Sequence, residues 1–103
     1  MRVVIFVTCA DKKQARRIAQ GLIKARLAAC VNIVDRVESL FWWQGKVDQA
    51  KEVLLIVKSQ KNKLPRLIKC VKSLHSYQVP EIISLGISSG YKPYLRWIND
   101  SLR

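Results

Sequence analysis

The spacing of apolar residues switches between continuous or alternating runs and a helical period, and each switch predicts an element. Arg2 to Thr8 is a continuous run rich in β-branched residues, as expected of a central strand covered on both faces. Asp11 then offers an N-cap, and Ala15, Ile18, Ala19, Leu22 and Ile23 fall on one helical stripe. The opposite side of that helix carries Lys13, Arg16, Arg17, Gln20 and Lys24. After Ala28-Ala29 the period becomes two. Cys30 to Trp43 reads as a long strand with Val31, Ile33 and Val37 on one face, and Asp35 breaks that face, which predicts a bulge or bend. Gly45 supplies the positive φ of a tight reversal, and Lys46 to Ser59 forms the return arm, with Val53-Leu54-Leu55-Ile56-Val57 as its buried half. Pro65 suits the first turn of a second helix, whose stripe is Leu64, Leu67, Ile68, Val71 and Leu74. A non-periodic loop, His75 to Pro80, leads to a fourth strand over Glu81 to Ile87. Ser88-Ser89-Gly90 stops it, and Pro93 opens a last helix expected to turn Tyr94, Leu95, Trp97, Ile98 and Leu102 inward.

The resulting order, β-α-β-β-α-β plus a terminal helix, predicts an α+β fold. Split βαβ units with right-handed crossovers give a ferredoxin-like sandwich, with four antiparallel strands and both long helices on one face. The other sheet face is then bare unless something packs on it. The hairpin adds a second problem of coverage. Fourteen extended residues reach about 46 Å, whereas a globule of this length is about 33 Å across. A hairpin carrying Phe41, Trp42 and Trp43 at its tip therefore overhangs its own domain, and an apolar overhang is expected to be covered by another chain.

Composition sharpens this picture in three ways. The 103 residues suit a single domain over 1–103, with an apolar half that needs no staples. No apolar run approaches a membrane span, the first residues lead directly into a strand, and Cys9, Cys30 and Cys70 show no C-x-x-C spacing. Reduced thiols in a cytoplasmic protein are the expectation, with no membrane partner. The net charge of +12 is unevenly placed: no acidic residue occurs from Val53 to Pro80, and the first helix meets only Asp11. Such basic helices are expected to attract an anionic partner non-specifically at low salt.

Four blocks carry a resemblance to a known family: Arg26-Leu27-Ala28-Ala29-Cys30-Val31-Asn32-Ile33, Trp42-Trp43-Gln44-Gly45-Lys46, His75-Ser76-Tyr77-Gln78-Val79-Pro80-Glu81-Ile82-Ile83, and Tyr94-Leu95-Arg96-Trp97-Ile98. Together they resemble the CutA family of divalent-cation tolerance proteins over essentially the whole chain. The resemblance implies a ferredoxin-like homotrimer with a PII-like architecture, a link to copper and other divalent metal ions, and no established catalytic reaction. Ser76 departs from the proline that many members carry after the histidine, and the strongly basic balance departs from the acidic or mixed surfaces of the family.

Candidate chemistry is narrow. Copper favours thiolate, thioether and imidazole donors, of which the chain has three cysteines, one histidine and Met1. Cys30 begins the long arm, His75 ends the second helix and Glu81 starts the next strand, so these three are the expected metal donors, lining one cleft and completed across a subunit interface. The structural alternative is a buried, inert Cys30 and a His75 that only ends its helix through hydrogen bonds. Catalysis is not expected. Cys30 or Cys9 with His75, or Tyr77 with Glu81, are the only pairs an enzyme could use, and no phosphate loop or H-x-x-x-H spacing is present. RNA-recognition modules share the strand order, yet only Phe6 is aromatic on the two central strands. The functional expectation is a trimeric protein of metal tolerance that binds ions weakly at intersubunit clefts. Its alternative is a PII-like signalling or interaction scaffold for an acidic partner or small ligand.

Overall fold

Strict alternation on the first strand sets the sheet. In the computed structural model, which describes residues 1–103, Val3, Ile5, Val7 and Cys9 of β1 (Arg2–Cys9) are buried and the residues between them are half-buried. Helix α1 (Lys12–Lys24) follows, capped by Asp11, whose Oδ1 accepts from the Gln14 amide at 2.8 Å. The chain continues through β2 (Cys30–Trp43), β3 (Lys46–Gln60), a short 3-10 helix (Lys61–Lys63), α2 (Leu64–Leu74), β4 (Ile82–Gly86) and α3 (Lys92–Ser101). Strand order is β2-β3-β1-β4 with every neighbouring pair antiparallel, the ferredoxin-like arrangement that the element order predicts.

One sheet face is closed by α1 and α2. Ile18 and Leu22 from α1, and Leu67 and Val71 from α2, join Val3, Ile5, Val7, Leu55 and Val57 in the main core. The helices run antiparallel, since Gln14 meets Ser76 while Gly21 lies beside Leu74 and Cys70. A Cβ at Gly21 would lie 3.2 Å from Leu74 Cδ1, so this glycine allows the close approach of the two helices. Ile23, predicted on the buried stripe, is exposed on the flank of α1.

The second face is not bare along its whole length. Arg2 and Gln60, paired across β1 and β3, point away from the α1–α2 core; Arg2 Nε donates to Leu95 O and Gln60 Nε2 to Asn99 Oδ1, each at 2.8 Å. Helix α3 therefore covers that end. Ile98 and Leu102 are buried and Leu95 half-buried, a stripe at three- and four-residue spacing. Tyr94 and Trp97, predicted inward, lie on the flank of this stripe and stack on each other with ring centroids 5.5 Å apart. Towards the other end, Val34, Ile83 and Leu85 remain exposed.

The β2–β3 hairpin turns at Gln44 and Gly45, with φ of 52° and 79°, the left-handed pair that a two-residue hairpin turn needs. The bulge predicted at Asp35 is present: Val34 pairs with Leu54 and Val37 with Glu52, and Arg36 has a φ of 64°. Asp35 Oδ1 accepts from the Arg36 amide at 2.8 Å. The extra residue inverts the alternation, so Val37 does not continue the face of Val31 and Ile33, contrary to the sequence pattern. Principal extents of 44 × 25 × 23 Å show that the hairpin does lengthen the molecule. Trp42 at its tip is 75 % exposed in the single chain.

Candidate functional site

A concavity lies between the hairpin and the loop that follows α2. Its volume is about 700 Å³, with Glu38, Leu40, Phe41 and Trp43 on the hairpin side, and Tyr77, Gln78, Val79 and Glu81 on the loop side. Asp48 and Glu52 from β3 also face it, as does Thr8 at the end of β1. Glu38, Asp48, Glu52 and Glu81, four of the seven acidic residues of the chain, line this cleft without a lysine or arginine, although the register puts Glu38 on the opposite strand face from Asp48 and Glu52, beside Lys51. In a chain of net charge +12, this is a local reversal of sign.

Glu52 anchors the floor. It is one of two buried polar residues, and the Tyr77 hydroxyl donates to its Oε2 at 2.8 Å. Burial, then the hydrogen bond to Glu52 and its charge, push the Tyr77 phenol up to about 12, so Tyr77 stays a neutral donor at physiological pH. The carboxyl of Glu81 is raised above the usual carboxylate range, first by burial and then by the charge of Glu52. The Glu52 charge thus adds to burial in disfavouring the ionised form of Glu81. Cys9, buried behind the cleft, is pushed up to about 11 by burial, Glu52 and Asp11, which keeps it an unreactive thiol.

His75 sits beside this cleft rather than in its lining. Its Nε2 donates to Thr8 O at 2.7 Å, and its Nδ1 accepts from the Tyr77 amide at 3.0 Å. Donation to a carbonyl fixes the proton on Nε2, and both nitrogens are then engaged. The imidazole shapes the loop, bringing Tyr77 to 4.7 Å between ring centroids.

Cys30 lies elsewhere. It pairs with Lys58, which in turn pairs with Val4, four residues along β1 from Thr8. That offset is about 13 Å along the strands, and two strand steps add about 10 Å across them. Its thiol donates weakly to Asn32 Oδ1 at 3.9 Å, and Lys58 Nζ donates to the same oxygen. The Tyr94 phenol is raised by burial and by its contact with this thiol. Within one chain the structure thus brings Glu81 to the cleft and His75 to its border, and leaves Cys30 under α3. No three His, Cys, Asp or Glu side chains are placed to hold one ion. A preformed metal site, whether of soft donors or of carboxylates, is therefore absent from the single chain.

Sequence reasoning missed Glu38, Asp48 and Glu52. Once the turn is placed at Gln44 and Gly45, the register sets Glu38 opposite Lys51 and Asp48 opposite Phe41, so the hairpin acids were accessible to pattern. The Tyr77–Glu52 bond spans 25 residues and leaves no local signal.

The sequence profile described as CutA1 divalent ion tolerance protein matches residues 3–101. The chain is 44 % identical over 101 residues to the divalent-cation tolerance protein CutA of Thermus thermophilus, covering 98 % of each. It is 45 % identical over 101 residues to the chloroplastic protein CutA 1 of Oryza sativa and 42 % identical over 94 residues to protein CutA of Mus musculus. The chain spans only 57 % and 53 % of those two proteins. The structure of the Thermus thermophilus protein superposes with a TM-score of 0.96 at 44 % identity over 98 % of both chains. A protein of Archaeoglobus fulgidus, described as a periplasmic divalent cation tolerance protein, superposes with a TM-score of 0.96 at 39 % identity over the full length of both.

Proposed function

The chain belongs to the CutA1 family of divalent ion tolerance proteins, and on that footing we propose that it is a non-catalytic binding protein of the divalent-cation response. It acts as one domain over residues 1–103 in the cytoplasm, in keeping with three free thiols and no helix long and apolar enough to cross a membrane. The observation that supports the reading is that Asp48, Glu52 and Glu81 border one cleft whose lining holds no lysine or arginine, in a strongly basic protein. Glu81 is the leading donor because it is exposed on the loop side of the cleft, where partial burial and then the charge of Glu52 raise its carboxyl.

The working unit of the proposal is a homotrimer. Its support is the exposed apolar surface of the hairpin and of β4, where Trp42, Val47, Ile83 and Leu85 have no partner in the chain, together with the free outer edges of β2 and β4. Three copies rather than two is what the family resemblance implies. In such an assembly the cleft becomes an intersubunit site, and copper or another divalent ion is held weakly. For Cys30 and His75 to serve as softer donors, a neighbouring copy must supply the missing ligands, and the Nδ1 contact of His75 must open. Metal binding should then weaken in acid, because imidazole, thiolate and carboxylate all bind in their unprotonated forms.

Titration of Cu(II) and Zn(II) by calorimetry, on the reduced protein and on Glu81→Gln, Cys30→Ser and His75→Ala variants that keep their sedimentation mass, tests this. Loss of affinity in Glu81→Gln is expected. Unchanged affinity in all three variants would remove the cleft from consideration, and a monomer mass at micromolar concentration would remove the trimer. The basic outer helices favour a second reading, a PII-like scaffold that meets an anionic partner without catalysis.

A further inference from the structure

We propose that the outer face of α1 and α2 is a docking surface for the phosphate backbone of duplex nucleic acid. The proposal rests on the anionic-partner reading and gives that partner a chemistry. On α1 the exposed cations besides Lys12, which pairs with Asp35, are Lys13, Arg16, Arg17 and Lys24, and on α2 they are Arg66, Lys69 and Lys72. The antiparallel packing through Gly21 places both rows in a single layer, because each buries its apolar stripe against the same sheet face. Nothing neutralises that layer. The two ion pairs of the chain are Lys12–Asp35 at 3.8 Å and Arg103–Asp100 at 3.1 Å, and neither involves these seven residues. Between Lys12 and Val34, and again between Val53 and Pro80, the sequence has no carboxylate.

Three features of this face select a duplex over other anions. All eight aromatic residues of types Phe, Trp and Tyr lie outside α1 and α2, so the face has no ring on which an unpaired base could stack, which disfavours single strands. Among large apolar side chains only Ile23 is exposed on these two helices, too little to wedge into a bilayer. An acidic protein partner would find none of the aromatic anchors that carry protein interfaces. What remains is a rigid array of guanidinium and ammonium groups, suited to evenly spaced phosphates. Lys13 to Lys24 spans about 16 Å of helix, close to half a duplex turn of about 34 Å. With roughly four phosphates neutralised, the logarithmic salt slope should be about −3.6, a loss of roughly 150-fold in affinity between about 50 and about 200 mM salt.

The test is fluorescence anisotropy of the intact protein with a labelled 20-base-pair duplex of arbitrary sequence, alongside phosphatidylserine vesicles and polyglutamate. The variants are Arg17→Glu with Lys69→Glu on the helix face, and Lys92→Glu with Arg96→Glu on α3, which changes the net charge equally at a different place. Melting curves and sedimentation mass show that each variant is folded. Duplex binding in the micromolar range at low salt is expected, weakened at least tenfold by the helix-face pair and less than threefold by the α3 pair. Equal losses in both pairs would overturn the docking face in favour of net charge alone. Binding to vesicles or polyglutamate but not to duplex would overturn the proposal while keeping an anionic partner, and binding to none of the three would overturn both.

Discussion

Replacing Tyr77 by Phe removes one oxygen and separates two roles that the loop performs. The Tyr77 hydroxyl is the only side-chain donor to the Glu52 carboxylate, at 2.8 Å, and Glu52 is 7 % exposed. The ring also packs against His75, a contact that Phe retains. The substitution therefore leaves the packing and strips a buried charge of its hydrogen bond. A hydrogen bond to a charged group contributes about 1.5–3 kcal/mol, and the orphaned acceptor adds its own desolvation cost. A loss of about 2 kcal/mol is expected at neutral pH, or about 1 M in the urea midpoint for a slope near 2 kcal/mol/M. Assembly should survive, because Phe keeps the ring and loses only the hydroxyl, whose partner is Glu52 of the same chain.

The assay is urea unfolding of both proteins at equal concentration and neutral pH, with Glu52→Gln and the double variant completing a cycle. A deficit below about 0.5 kcal/mol, or no coupling between the two positions, would show that water satisfies Glu52 and that the Tyr77 bond does not hold the loop.

The raised carboxyl of Glu81 implies that folding favours its protonated form; its contribution to stability is full below its unfolded-state pKa and is lost as pH rises through the folded one. Thermal melts in chelator should show this slope in the native protein, a flatter profile in Glu81→Gln, and a cation-induced rise in melting temperature only in the former. Gly45→Ala should destabilise by about 1–2 kcal/mol through backbone strain alone, since φ is 79° and a Cβ there meets nothing within 4 Å; an unchanged urea midpoint would contradict the turn geometry. Gly21→Val should cost about 1–3 kcal/mol by pushing Leu74 away from α1, seen as a lower urea midpoint and as faster amide exchange in α2.

The fold was legible because its signals are local. The continuous β-branched run of β1, the stripes of α1 and α2, Asp11, Pro65 and Gly45 each specify an element from within a few residues. Asp35 marked the bulge, but the pattern of Val31, Ile33 and Val37 could not reveal the inversion, because an inserted residue changes the face without changing the composition. Tyr94 and Trp97 misled for a related reason. A wide apolar stripe on α3 meets only the narrow end of the sheet, and Leu95, Ile98 and Leu102 fill it. The expected convergence of Cys30, His75 and Glu81 counted elements rather than rows. Cys30 starts β2 in the row of Lys58, whereas Thr8, which holds His75, pairs with Leu54.

Charge placement joins the two halves of the molecule into one argument. A chain with 19 basic and 7 acidic residues could have spread its acids as surface partners for lysines, yet four of them border the cleft and only two ion pairs form. The Glu52 charge adds to burial in raising the carboxyl of Glu81, and the outer helices are left without neutralising partners. The sheet and its α1–α2 layer lie between the two surfaces. Surface charges separated by more than a Debye length, about 8 Å at physiological ionic strength, are largely screened from one another. The proposed cation site and the proposed anion face are therefore expected to act with little interference between them.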